Sequence, residues 1–123
     1  MIVVTNNPLM KCEEGALFVD GSFRDVLVKV RDMVFEGHEL ITHPLFASLG
    51  MMFSPYRSVV LGDTAGLAST LEMEMVENSI ATYDQATEGR VHFPEYDKDY
   101  AWMDRSLYLS AMEDQGIQGR LSQ

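Results

Sequence analysis

"ALFVDGSFRDVLVKVRDMVFEGHELIT", residues 16–42, decides the fold of this 123-residue chain. Its first five residues form an apolar run of strand length, which Gly21 then breaks. Ser22 stands three residues before Asp25, a near relative of the capping box, and Phe23, Val26, Leu27, Val30 and Val34 follow at helical spacing. The helix stops near Gly37. "HELIT" then reads as a strand, and strand, helix and strand together have the length of a right-handed parallel crossover.

Outward from this unit, Met1 to Thr5 read as a buried strand. Asn7-Pro8 looks like a helix start, since Asn accepts hydrogen bonds from first-turn amides and Pro lacks an N–H that would need a partner there. Gly15 ends that short helix. Downstream the pattern is echoed: Thr42, His43 and Pro44 open a second short helical turn that Gly50 closes. Met51 to Pro55 read as loop and Tyr56 to Leu61 as a fourth strand. "GDTAGLAST" lacks the Lys and spacing of a phosphate loop, so Asp63 or Thr64 is expected only to cap the next helix. That helix carries Leu67, Leu71, Met75, Val76, Ile80 and Tyr83 on one face, with Glu72, Glu74 and Glu77 mostly on the solvated side, and ends at Gly89. "RVHFPEYDKD" connects to a last helix, Asp97 to Gln115, with Tyr100, Met103, Leu107 and Ala111 inward and "GIQGRLSQ" as a frayed tail. These alternating elements predict a single α/β domain over residues 1–123, a small, mostly parallel sheet of about four strands flanked by helices.

Composition narrows the partners. Nine basic against nineteen acidic residues give a formal charge of −10, and the scattered Lys and Arg argue against nucleic acid. No apolar window approaches a membrane span, so a cytoplasmic protein is expected. The single cysteine, Cys12, cannot close an internal disulfide. His38 and His43 bracket one predicted strand and His92 lies far along the chain, so no metal site is expected, and no cofactor.

In a parallel α/β sheet the loops after the strands gather at one edge, where helix amino ends also point their free N–H groups. Thr5, Asn6, Asn7, Thr42 and His43 would meet there if their strands are neighbours, and a small anionic metabolite would suit such a site. The competing reading is that Asn7 and Thr42 or His43 only cap their helices. Tyr56 could stack and Arg57 could pair with an anion, but a surface Arg in a salt bridge with one of the many acidic residues is the competing reading, and Arg57 reaches this edge only if the fourth strand runs antiparallel.

"TNNPL", "VDGSFRDVLVKVRDMVFEGHELITHPL", "SPYRSVVL" and "VENSI", in this order, resemble the GrdX family, small proteins associated with the glycine reductase system of amino-acid-fermenting anaerobic bacteria. The resemblance runs from the first residue to about Ile80. It ties Thr5, Asn6, Asn7, Pro8, His43, Pro44, Tyr56 and Asn78 to the shared pattern and implies an accessory role in glycine, sarcosine or betaine reduction, with glycine reductase components as candidate partners. It implies no catalytic mechanism. Three functions compete: an accessory protein binding a small anionic metabolite or a partner protein, a small enzyme using His43 as general acid or base, and a homo-oligomeric interaction module presenting Met51-Met52-Phe53 or the last helix. With no catalytic pair in view, the enzyme ranks last.

Overall fold

The computed structural model describes residues 1–46 and 49–121, with side chains over 1–46 and 50–114. Strand β1 (Ile2–Thr5) is the middle of a three-stranded sheet, with β2 (Ala16–Phe18) parallel to it on one side and β3 (Ser58–Leu61) antiparallel on the other. This corrects the expected mostly parallel sheet of about four strands. The missing strand is "HELIT", which makes one isolated bridge, Leu40 to Leu61. Side chains intercept its ladder: the Leu40 N–H donates to Glu72 Oε1 at 3.1 Å, and the Val60 N–H donates to Thr42 Oγ1 at 2.9 Å. The segment still runs antiparallel to β3, and hence parallel to β1 and β2, on the outer side of β3.

Helix α1 (Phe23–Phe35) begins as its sequence dictates. The Asp25 N–H donates to Ser22 Oγ at 3.1 Å and the Ser22 N–H donates to Asp25 Oδ2 at 2.8 Å, closing a capping box. At its far end Gly37 takes φ +105° and lies so close to Gly66 that an added Cβ would collide with the Gly66 carbonyl. Gly37→Ala is expected to cost roughly 1–3 kcal/mol through this collision and the left-handed backbone. Urea unfolding measures it, and an unchanged midpoint would contradict the account.

Alternation along the strands sends side chains to both faces of the sheet. Val4, Val59 and Leu61 join Phe23, Val26, Leu27, Val30 and Val34 of α1 and Val76 and Ile80 of α2 (Thr70–Thr87). Val3 and Val60 pack on the other face with Met10, Ile41 and, from α3 (Asp97–Leu121), Tyr108 and Met112. The sheet is therefore covered on both sides, which explains its unbroken Val runs.

Three short predicted features differ. After Asn7 only a 3-10 turn forms, Pro8–Met10, and another spans Leu49–Phe53, across the expected end of the second helical turn at Gly50 and into the expected loop from Met51. The Thr42 echo does not open a helical turn over 42–46, while residues 47 and 48 of that prediction lie outside the described residues.

Two helix faces also shift. Ser69, rather than Asp63 or Thr64, caps α2 by accepting from the Glu72 N–H at 3.3 Å. Leu67 is left outside the helix, fully exposed, and the inward stripe runs through Met73, Val76, Ile80 and Tyr83. Among the described side chains of α3 the buried positions are Ala101 and Asp104, while Met103 and Leu107 are about half exposed. Asp104 is left out of the expected inward set because it is charged, but a carboxylate can be interior where donors surround it. The helix itself continues to Leu121, past the predicted end at Gln115, and residues 122 and 123 of the predicted tail lie outside the described residues.

Candidate functional site

Because β3 runs antiparallel, its first residues lie at the edge where parallel β1 and β2 end. This direction brings Tyr56 and Arg57 to Thr5, Asn6 and Asn7. Asn6 joins the loops there: its Nδ2 donates to the Gly21 and Pro55 carbonyls at 2.9 and 2.8 Å, and its Oδ1 accepts from the Arg57 N–H at 2.9 Å.

Asn7 keeps its capping role, accepting from the Leu9 N–H at 3.0 Å, but its amide nitrogen reaches α3, donating to the Ala101 carbonyl and to Asp104 Oδ2 at 2.9 Å each. Asp104, 1% exposed, also accepts from the Ser58 N–H at 2.9 Å and the Ser58 hydroxyl at 2.7 Å. The Thr5 hydroxyl lies 2.7 Å from Ser58 Oγ and accepts from the Asn7 N–H at 3.0 Å. These groups form a buried polar knot between the sheet edge and α3.

Arg57 extends the knot. It is 7% exposed, its Nε donates to the Pro44 carbonyl at 2.8 Å, one terminal nitrogen donates to the His43 carbonyl, and the other lies 4.0 Å from Asp104 Oδ1. Its guanidinium carbon is 4.0 Å from the Phe46 ring centroid. Burial pushes its pKa down to about 10 and the charge of Asp104 opposes that shift, so the guanidinium stays protonated at neutral pH.

Beside the knot the edge opens into a crevice of about 530 Å³. Asn6 and Tyr56 line it with Phe53 from the loop before β3, Tyr83 and Arg90 from the end of α2 and the turn after it, and Tyr100 from α3. Gly21 and Ser22, at the amino end of α1, complete the wall.

The GrdX-like protein family model matches residues 2–113. The chain belongs to this family. No curated protein and no solved structure matches it. Of the eight residues carrying the resemblance to the family, Thr5, Asn6 and Asn7 hydrogen-bond within the strand-edge network, and Pro44 contributes its carbonyl to Arg57. Pro8 starts the turn after β1, and Tyr56 faces the crevice. His43 and Asn78 meet elsewhere, in a depression of about 340 Å³ beside Glu74 and Ser79. His43 also lines a cleft of about 230 Å³ with Thr42, Arg57 and Tyr108.

Asn7 and His43 therefore do not share any of these three cavities, and their connection runs through Asp104 and Arg57. His43 Nδ1 lies 3.0 Å from the Leu45 backbone nitrogen and 3.2 Å from the Leu45 carbonyl oxygen, so the ring is held against its own loop. His43→Ala removes an exposed side chain whose hydrogen bonding is local, to the Leu45 backbone, so stability is expected to change by no more than about 0.5–1 kcal/mol. Thermal unfolding checks it; a larger loss would make His43 a structural residue. Among the described residues no three His, Cys, Asp or Glu side chains are grouped to hold a metal, and no helix is long and apolar enough to cross a membrane.

Sequence reasoning missed Asp104, Ser58 and the aromatic wall. The available signal for the wall was the density of aromatic residues in "RVHFPEYDKDY", which is unusual for a segment that only connects two helices.

Proposed function

We propose that this protein is an accessory, noncatalytic binding protein of glycine, sarcosine and betaine reductase metabolism, and that the strand-edge crevice takes a small carboxylate-bearing metabolite. The carrying observation is the pairing of an open crevice of about 530 Å³ with a neighbouring polar knot whose donors and acceptors are bonded to one another. The knot fixes the wall; the crevice, with Arg90 on its rim, is free to receive a guest. In this reading Thr5, Asn7, Pro8 and Arg57 position the site, and Asn6 and Tyr56 face it.

Amide chemical shifts followed during titration with glycine, sarcosine, trimethylglycine and acetyl phosphate test the reading. Shifts concentrated on residues 52–56, 83–93 and 96–100 support it. Saturation by none of the four overturns the metabolite function.

A second reading is supported by α3, whose Trp102, Met103, Leu107 and Leu109 are 45–62% exposed. Such apolar side chains suit a docking surface for a glycine reductase component or a second copy of the chain. Sedimentation at rising concentration, alone and with purified reductase components, separates the two. A monomer that binds no component would remove this alternative.

A further inference from the structure

The aromatic composition of the crevice narrows its guest. Tyr56, Tyr83, Tyr96, Tyr100, Phe53 and Phe93 all line it, and ring faces carry a negative quadrupole that attracts cations. The crevice already holds one such contact, because the Arg90 guanidinium carbon lies 3.8 Å from the centroid of the Phe53 ring. Stacking uses the face of the guanidinium and leaves its in-plane N–H groups for a carboxylate. Among the described residues Arg90 makes no ion pair. The formal charge of −10 adds a field that favours a cationic head over a wholly anionic ligand.

The degree of methylation follows from desolvation. A primary ammonium brings three N–H donors that ring faces satisfy poorly, so contact with the rings costs it hydration that they only partly replace. A quaternary ammonium has no N–H to lose and spreads its charge over methyl groups that pack against rings.

We propose that the crevice binds a carboxylate-bearing methylated ammonium compound, its cationic head against Tyr56, Tyr83 and Tyr100 and its carboxylate on Arg90. This rests on the reading that the crevice is a metabolite site. It goes further in naming the chemical class and the residues that select it.

Three probes separate the possibilities: trimethylglycine, glycine and 3,3-dimethylbutanoate, the last keeping the shape and carboxylate of trimethylglycine while replacing nitrogen by carbon. Calorimetry and amide shifts up to about 10 mM, where millimolar affinities still register, are expected to give trimethylglycine at least about tenfold tighter binding than either comparator. Tyr100→Leu is expected to weaken it by about tenfold while Tyr100→Phe changes it less than about threefold. Tyr96→Leu, at a more exposed ring, serves as a second variant if Tyr100→Leu unfolds. Arg90→Gln is expected to weaken trimethylglycine without weakening tetramethylammonium, which has no carboxylate and is repelled by the Arg90 charge.

If glycine or 3,3-dimethylbutanoate shifts the same residues as tightly as trimethylglycine, the ammonium assignment is overturned and the crevice remains a metabolite site. If trimethylglycine shifts no crevice residue while acetyl phosphate does, this inference fails and the proposed function survives. Failure of all these probes overturns both.

Discussion

Asp104→Ala is expected to lower stability by roughly 3–5 kcal/mol, because it removes the acceptor around which the sheet edge and α3 meet. The carboxylate takes the Ser58 N–H, the Ser58 hydroxyl and the Asn7 amide, all buried. Without it those donors lose partners in a place water does not readily reach, and the nearby Arg57 charge loses its counterion. Asp104→Asn keeps the volume but turns one oxygen into a donor facing donors, so an intermediate loss is expected. Urea unfolding with a resolved midpoint measures both. A loss below about 1 kcal/mol for the alanine variant would mean that α3 docks through its apolar contacts alone. Tyr100 stands one turn before Asp104 on the same helix, so the loosened variant should also lose order in the crevice wall.

Arg57→Met is the second large effect, again roughly 3–5 kcal/mol. Methionine restores much of the packing on Phe46 but leaves the Pro44 and His43 carbonyls without donors and Asp104 without a nearby cation. Arg57→Lys is not conservative here, since one ammonium cannot reproduce the planar fork that reaches two carbonyls and approaches a carboxylate. A double-mutant cycle distinguishes a knot from two independent sites. The Asp104→Ala, Arg57→Met double variant is expected to lose less than the sum of the single losses, because removing both charges leaves neither stranded. Strict additivity would show that the two side chains, 4.0 Å apart, are not energetically coupled.

The sequence was most informative where structure is local. Ser22 and Asp25 close their capping box because the interaction spans three residues and asks nothing of the rest of the chain. Asn7 accepts from the Leu9 N–H as its place before Pro8 requires. Its other hydrogen bonds, to Ala101 and Asp104, cross 94 and 97 residues of sequence. No spacing rule connects those positions, and both the binding and capping readings of Asn7 omitted them. Likewise the apolar pattern of α3 favoured Met103 and Leu107 as inward residues, since hydrophobic periodicity cannot tell that a buried carboxylate will find donors waiting on the sheet.

Local residue chemistry was enough to establish α1 and its amino cap, the valine-rich strands, and membership of a family through short motifs in fixed order. Strand direction lay beyond it, because an apolar run such as "SVVL" pairs equally well either way and only the return path of the intervening chain selects antiparallel. That choice places Tyr56 and Arg57 beside Asn6, while the Glu72 and Thr42 side chains interrupt the predicted "HELIT" strand. The crevice and the knot beside it are consequences of long-range packing, where the free energy depends on which distant donor meets which acceptor and which rings are left facing open space.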